Sequence, residues 1–443
     1  MNADRMSTMV DQLHTADQGW RRILPKELAD RALAVAVDVG QRLCDPEAVA
    51  RQMPEPPLSS GRAILYGQLD QCLPERGWAE LSHDCLADAV QTVRQADHSF
   101  LGLFGGGMCE VAFAADALSR DGARYRRLLS SLDGPLTAAS ISLGELLTAH
   151  PAGQPFRSFD LISGGAGVGA YLLCRRDDPH ADTALRAVLT GLVALCDERA
   201  GLPNWHTPAA AMVQGTPLAQ SFPAGVFNCG LAHGIPGPLA LLALAERAGI
   251  SVPGQRDAIE RVANWLIAHR ADDEWGPNWP TAVSLPDPTG AASPSYGPTH
   301  NAWCYGSPGV ARALWLAGMA LQDNALRMLA VDTTTTVYGR PPYARRSDHS
   351  PGLCHGVAGL LQITLRFAQD TGDAVFAQAA AELTTRVLAM FEPESPFGYV
   401  ALAEGGATAN DPGLLDGAAG IALALLAAAT DIPPAWDRTL LLA

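Results

Sequence analysis

Residues 417–426 read Gly-Ala-Ala-Gly-Ile-Ala-Leu-Ala-Leu-Leu, a Gly-x-x-Gly motif that opens an apolar stretch. Alanine and leucine are strong helix formers, so the stretch predicts a buried helix that begins near the glycines. The same pattern recurs at residues 164–167, 234–237, 306–309 and 356–359, and in a degenerate form at residues 106–109. The motif is therefore an internal repeat with six copies.

Successive copies begin between 50 and 72 residues apart, which leaves room for two helices and two connections in each repeat. A helical hairpin that presents one apolar helix cannot bury that helix alone, so the copies have to stack on one another. Six stacked hairpins can close into a ring that has no exposed ends. We therefore expect an all-α fold, an (α/α)6 toroid whose inner helices begin at the Gly-x-x-Gly motifs.

The composition agrees with a large helical core. Of the 443 residues, 48% are hydrophobic and only 6% are aromatic, which is typical of a core rich in alanine and leucine. Because a closed repeat ring is one cooperative unit, we expect a single domain over residues 1–443. Within it, residues 1–59 form lead-in or outer helices, and residues 60–443 form the six-repeat ring.

Charge and cysteine content limit the classes of function. The formal net charge of −15 makes nucleic acid an unfavourable partner. The chain has no apolar run of the roughly 18 residues that a spanning helix needs, and no signal-peptide pattern at its start, so we expect a soluble, cytoplasmic protein. Nine cysteines argue for reduced thiols rather than a disulfide framework. Seven are interpreted as buried small hydrophobic residues: Cys44, Cys72, Cys85, Cys109, Cys174, Cys196 and Cys229.

The other two cysteines occupy the same position in successive copies of the repeat. Cys304 and Cys354 each lie two residues before a Gly-x-x-Gly motif, and His355 follows the second cysteine. This register brings two thiols and an imidazole to one end of neighbouring helices. Three soft or borderline ligands suit a zinc ion that keeps one coordination position open, as a catalytic zinc does.

The residues that precede the first glycines should converge at one end of the ring. They are Gly105, Ser163, His233, Tyr305, His355 and Asp416. Each lies at the N-terminus of an inner helix, where the helix dipole and free N–H groups stabilise a thiolate or another anion. Asp416 is interpreted as the cap of its helix.

Three segments resemble the signature motifs of the lanthipeptide cyclases, the LanC family. They are Phe-Asn-Cys-Gly-Leu-Ala-His-Gly-Ile-Pro-Gly at 227–237, Ala-Trp-Cys-Tyr-Gly-Ser-Pro-Gly at 302–309, and Cys-His-Gly-Val-Ala-Gly at 354–359. The resemblance runs in order from about residue 100 to the C-terminus. It implies a zinc enzyme that adds a peptide cysteine thiol to dehydroalanine or dehydrobutyrine in the same peptide, which closes a thioether ring.

The resemblance also implies roles for individual residues. The zinc ligands would be Cys304, Cys354 and His355, and the active-site residues would be His233, Asp160 and Tyr305. One position departs from the family, because the better-known members carry arginine where this chain has His300. The implied partners are a dehydrated precursor peptide and, at the membrane, a dehydratase and an exporter.

Other functions fit part of the pattern. A glycoside hydrolase on this fold would need two facing carboxylates, and a prenyltransferase would need an aspartate ligand and an aromatic pocket. A LanC-like enzyme that adds glutathione uses the same zinc, and a non-catalytic peptide-binding scaffold is the alternative from a different class. At the level of single residues, Asp160 and His233 could also serve only as caps of their helices, and Tyr305 could serve only in packing.

Overall fold

The computed structural model describes residues 19–53, 57–95, 100–120, 122–286, 301–341, 344, 349–402 and 408–443. Sixteen α-helices and seven short strands are found in these residues. No helix in the described ranges is both long enough and apolar enough to cross a membrane.

The α-helices follow one another along nearly the whole described chain. They are α1 Lys26–Arg42, α2 Pro46–Gln52, α3 Ser60–Cys72, α4 Trp78–Gln95, α5 Met108–Ala117, α6 Arg126–Ala149, α7 Gly165–Cys174, α8 Pro179–Leu195, α9 Pro217–Ser221, α10 Pro236–Arg247, α11 Gln255–Ala268, α12 Ser307–Leu321, α13 Asn324–Gly339, α14 Val357–Thr371, α15 Ala374–Ala389 and α16 Ala418–Ala429. The strands are β1 Glu198–Arg199, β2 Leu202–Pro203, β3 Thr207–Pro208, β4 Gly225–Asn228, β5 Ala282–Ser284, β6 Ala401–Leu402 and β7 Thr408–Ala409.

The chain divides into two compact units. The first comprises residues 1–88 and 338–436, and in it α16 packs against α1 and α3 while α14 packs against α15 and α16. The second comprises residues 89–337 and 437–443, and in it α6 packs against α8 while α10 packs against α7 and α12. The single domain over residues 1–443 stays a prediction.

Helices begin at the glycine motifs of the repeat. Gly164, Gly306, Gly356 and Gly417 are the N-cap residues of α7, α12, α14 and α16. These helices are mostly buried, and α16 is buried along its whole length, residues 418–429. A helix that is apolar on all sides belongs in the centre of a packed core.

The second glycine of each motif is required by close backbone packing. A Cβ atom at Gly167, Gly309, Gly359 or Gly420 would clash with the main-chain oxygen of the residue six positions earlier. At Gly237 the corresponding approach to the Leu231 oxygen is 3.0 Å. The spacing is the same in all five copies, so the loop before each helix folds back on its first turn in the same way. The oxygens belong to Leu161, Leu231, Trp303, Leu353 and Leu414.

A small antiparallel sheet precedes the motif that contains His233. Its strand order is β3-β4-β5, and Asn228 at the end of β4 pairs with Ala282 in β5. Met212, Phe222 and Val226 form an apolar cluster at this sheet. The sequence pattern predicts no strand here, because strands of two to four residues are too short to show an alternation of apolar and polar residues.

All nine cysteines are free thiols. Cys109, Cys196 and Cys229 are buried, as predicted, and burial raises the pKa of the Cys196 and Cys229 thiols to about 12. The interpretation of Cys44 as a buried residue is wrong, because this side chain is exposed near the end of α1. The remaining three of the seven are half-buried: Cys72, Cys85 and Cys174.

Candidate active site

Asp160 lies fully buried in the loop that leads into α7. Its Oδ1 atom accepts hydrogen bonds from the backbone N–H groups of Ser163 and Gly164, at 2.8 and 2.9 Å. These bonds fix the loop, but they do not make Asp160 the cap of α7, whose N-cap residue is Gly164. They occupy one carboxylate oxygen and leave Oδ2 for another partner.

That partner is His233, which lies in the turn before α10. Its Nδ1 atom is 2.7 Å from Asp160 Oδ2. Because a carboxylate only accepts hydrogen bonds, Nδ1 carries a proton, and Nε2 is the nitrogen directed away from Asp160. The His233 side chain is 35% exposed, so a substrate can reach the imidazole. Phe156 packs edge-on against the ring, with centroids 5.6 Å apart.

Tyr305 is held by the segment that joins β4 to His233. Its hydroxyl oxygen accepts a hydrogen bond of 3.0 Å from Asn228 Nδ2. Its ring lies against Gly230, where a Cβ atom would clash with the tyrosine ring carbons. The centroids of the Tyr305 and His233 rings are 6.5 Å apart. Both aromatic side chains therefore face the same small region.

Backbone hydrogen bonds join the three loops that carry these side chains. The N–H of Leu161 donates to the Ala232 oxygen at 3.1 Å, and the N–H of Ala232 donates to the Cys304 oxygen at 3.3 Å. The loop of Asp160 is thus tied to the turn of His233, and that turn is tied to the loop of Cys304 and Tyr305.

Cys354 and His355 lie in the loop before α14. The N–H groups of Leu353 and Cys354 both donate to the Leu415 oxygen at 2.8 Å, so this loop is fixed to the one before α16. His355 Nδ1 is 3.2 Å from Asp416 Oδ1. The hydrogen bond with Cys354 and, less strongly, the charge of Asp416 outweigh desolvation and raise the pKa of His355 to about 9.

The interpretation of Asp416 as a helix cap is wrong. The N-cap residue of α16 is Gly417, and this helix has no side-chain cap hydrogen bond at its N-terminus. The Asp416 carboxylate instead faces His355, and burial raises its pKa. A carboxylate beside a ligating imidazole commonly fixes the orientation of the ring, which sequence position alone does not reveal.

The ligand atoms of Cys304, Cys354 and His355 all lie within 4.8 Å of one another, so this group could hold a metal ion. Two sulfur atoms and one imidazole nitrogen are donors that zinc accepts readily, and three protein ligands leave a fourth position open. The residues present therefore fit the cofactor that the sequence predicts. His300 lies outside the described residues.

Comparison with known proteins identifies related chains. The model of the family described as lanthionine synthetase C-like protein matches residues 58–441. The nisin biosynthesis protein NisC of Lactococcus lactis subsp. lactis is 24% identical over 265 residues, which are 59% of this chain and 61% of NisC. The chain thus aligns with about three fifths of the length of this curated relative.

The structure of nisin cyclase superimposes with a TM-score of 0.75 over 94% of this chain and 98% of that chain, at 21% sequence identity. This similarity shows a shared fold, and it confirms the prediction of an all-α toroid. The resemblance to the lanthipeptide cyclases is confirmed as well, since the family model and both relatives agree.

Proposed function

We propose that this chain, which belongs to the lanthionine synthetase C-like family, is a zinc-dependent cyclase that closes thioether rings in a dehydrated precursor peptide. The thiol of a peptide cysteine adds to dehydroalanine or dehydrobutyrine in the same peptide and gives lanthionine or methyllanthionine. The observation that carries the proposal is the group of two thiols and one imidazole formed by Cys304, Cys354 and His355.

These three side chains would hold the zinc ion, and Asp416 would orient the imidazole of His355. Bound there, zinc would lower the pKa of a substrate thiol and so supply the thiolate that the addition needs at neutral pH. With two thiolates and a neutral imidazole as ligands, the charge of the ion is balanced by the protein.

His233 and Asp160 would handle the proton. In the addition, a sulfur–carbon bond forms at the β-carbon, the carbon–carbon double bond becomes single, and the proton lost by the thiol is matched by one gained at the α-carbon. The Nε2 atom of His233 would take or give that proton, while Asp160 holds Nδ1 in one tautomer. Atoms balance, so the peptide mass does not change.

Tyr305 would assist by hydrogen bonding near the reacting atoms, since its ring neighbours that of His233. His300 is proposed as a further residue of the site on the basis of its place in the motif alone. The proposed partners are the precursor peptide, a dehydratase that prepares it and an exporter at the membrane that removes it.

The test is a reaction of the purified protein with a dehydrated precursor peptide. Free thiols should disappear without a change in peptide mass, and alkylation before and after reaction counts the rings. The variant with both Cys304→Ala and Cys354→Ala should lose zinc and activity, whereas Cys44→Ser, a matched change at an exposed cysteine, should keep both.

Three results would contradict the proposed function or the proposed zinc ligands. A mass gain equal to glutathione without ring closure would indicate the glutathione-adding alternative. Tight peptide binding by a protein that holds no zinc and forms no rings would indicate a scaffold. Full zinc occupancy in the double cysteine variant would refute the proposed ligands.

A further inference from the structure

The side-chain amide of Asn228 has a defined orientation, because hydrogen bonds fix both its oxygen and its NH₂ group. Only 3% of the residue is exposed. Its Oδ1 atom accepts a hydrogen bond of 2.9 Å from the backbone N–H of Gly230. Because that N–H can only donate, the oxygen of the carboxamide must face Gly230, and the NH₂ group must face Tyr305. The oxygen and the NH₂ group of the amide therefore cannot exchange places.

This orientation determines the direction of the hydrogen bond at Tyr305. The 3.0 Å contact joins a donating NH₂ group to the phenol oxygen, so the oxygen accepts there. The proton of the hydroxyl must then point away from Asn228. A tyrosine hydroxyl can donate one hydrogen bond only, and Asn228 thus excludes one direction for that donor.

Asn228 is also rigidly placed. It ends β4, where it pairs with Ala282, and its main-chain oxygen accepts from the N–H of Ile235 at 3.2 Å. The same oxygen leaves no space for a Cβ atom at Gly234, the residue after His233. The strand end, the His233 turn and the Tyr305 hydroxyl are therefore held as one assembly.

We infer that Asn228 is a positioning residue for cyclisation, which holds the Tyr305 hydroxyl in one orientation close to His233. This inference rests on the proposed function. It assigns no contact with substrate to Asn228, which acts through Tyr305. A polar group that is already held in its working orientation costs little reorganisation when charge develops in the transition state.

Two substitutions separate orientation from mere packing. Asn228→Ala removes both hydrogen bonds. Asn228→Asp keeps the shape and the acceptor for Gly230, but its second oxygen accepts from Tyr305 and so reverses the hydrogen bond. We expect each variant to lower kcat at least about tenfold and to leave KM within about threefold, as for an interaction made mainly in the transition state. Asn204→Ala, a change at another buried asparagine of the same unit, is the control for folding.

A double-mutant cycle tests whether the effect passes through Tyr305. In the Tyr305→Phe background, Asn228→Ala should lower kcat by no more than about twofold further, because the hydroxyl that it orients is gone. Wild-type kcat in both Asn228 variants, or losses that multiply with Tyr305→Phe, would overturn the inference. Melting temperature and zinc content are measured for every variant.

A spectroscopic measurement keeps the inference separate from the proposed function. In protein labelled with ¹⁵N-asparagine, the side-chain NH₂ resonance of Asn228 should shift on Tyr305→Phe, whether or not any peptide is cyclised. An unchanged resonance would show that the hydrogen bond is absent, and the inference would fail. If the resonance shifts on Tyr305→Phe but the wild-type protein forms no rings, the hydrogen bond exists and the proposed function is refuted. The role of Asn228 in cyclisation is then refuted with it.

Discussion

The carboxylate of Asp160 uses its two oxygen atoms for two different kinds of partner. Its Oδ1 atom fixes the loop before α7, and its Oδ2 atom holds the imidazole of His233. Of the two interpretations that the sequence leaves open for this residue, the helix cap is wrong, because the N-cap residue of α7 is Gly164. A side chain that caps a loop in a fixed position is a better orienting group for a histidine than one that is free to rotate.

The pair leads to a prediction for cyclisation. His233→Ala should lower the rate by roughly 10²- to 10⁴-fold, which is the usual contribution of a well-placed acid or base. Zinc content should be unchanged, because His233 is not among the proposed ligands. Asp160→Asn should lower the rate less, since an imidazole is still present, although in a poorer tautomer.

The rates are measured by thiol loss under saturating peptide, and zinc is measured by mass spectrometry. His180→Ala, at an exposed position in the first turn of α8, is the matched control. If His233→Ala cyclises at the wild-type rate, another group carries the proton, and the assignment to His233 is wrong.

The raised pKa of His355 predicts a pH dependence for metal binding. Without metal, this imidazole is protonated below its pKa of about 9, and only the neutral form can bind a metal ion. Acidification therefore favours the proton over the metal. We expect the zinc affinity to fall by at least about tenfold for each pH unit below pH 8, since the cysteine ligands also release protons.

Competition with a chromophoric chelator at pH 6, 7 and 8 measures this dependence. Asp416→Asn should weaken zinc binding at all three values by about 10- to 100-fold, as loss of an orienting carboxylate does at other metal sites. An affinity that does not change between pH 6 and 8 would contradict the proposed ligation by His355.

At the scale of the element, the Gly-x-x-Gly repeat carries most of the predictive content of the sequence. Four helices have the first glycine of the motif as their N-cap. The reason for the second glycine becomes visible only in the structure, where a main-chain oxygen six residues earlier occupies the space of a side chain. A sequence shows that glycine recurs, but not which backbone atom excludes every other residue.

This packing predicts unequal effects of glycine substitutions. Gly359→Ala should destabilise the protein by about 1–3 kcal/mol or more, because the new methyl group clashes with the Leu353 backbone rather than with a flexible side chain. Gly339→Ala, at the last residue of α13, meets no atom within 4 Å and should change the free energy of unfolding by less than about 1 kcal/mol. Urea unfolding of both variants measures the difference. Equal stability of the two would show that the close approach is not required.

The shorter elements are those that the sequence does not predict. Strands β3, β4 and β5 form the sheet that ends at Asn228, yet β4 contains only Gly225–Asn228. Phe227 and Asn228 belong to a motif that the sequence shows, but four residues are too few for an extended conformation to leave a pattern. The position of Asn228 beside Tyr305 depends on this strand and on a contact across 77 positions of sequence, which no local pattern records.

At the scale of the whole molecule, the toroid was predictable because one repeat constrains the entire chain. Six copies with an apolar helix each require stacking, and similarity to nisin cyclase over 94% of the chain shows the same fold. The pairing of Asp416 with His355 was not predictable in this way. Both residues precede glycine motifs, but the orientation of a side chain at the end of a loop depends on atoms from other segments.

The distribution of buried surface predicts how the molecule responds to loss of metal. Small zinc domains unfold without their ion because the metal replaces a core that they lack. Here α16 is buried along its whole length, and α10, α12 and α14 are mostly buried as well, so the helices have extensive apolar cores of their own. Chelation should therefore abolish cyclisation while the helical circular dichroism signal is retained.

The melting temperature should fall only by the amount that zinc binding adds to the free energy of unfolding, and the transition should still start from a fully helical protein. Titration with a chelator, followed by circular dichroism and zinc analysis on the same samples, measures both quantities. Re-addition of zinc should restore ring formation without a refolding step. Unfolding that coincides with zinc release would mean that the metal holds the fold together, and the site would then be structural rather than catalytic.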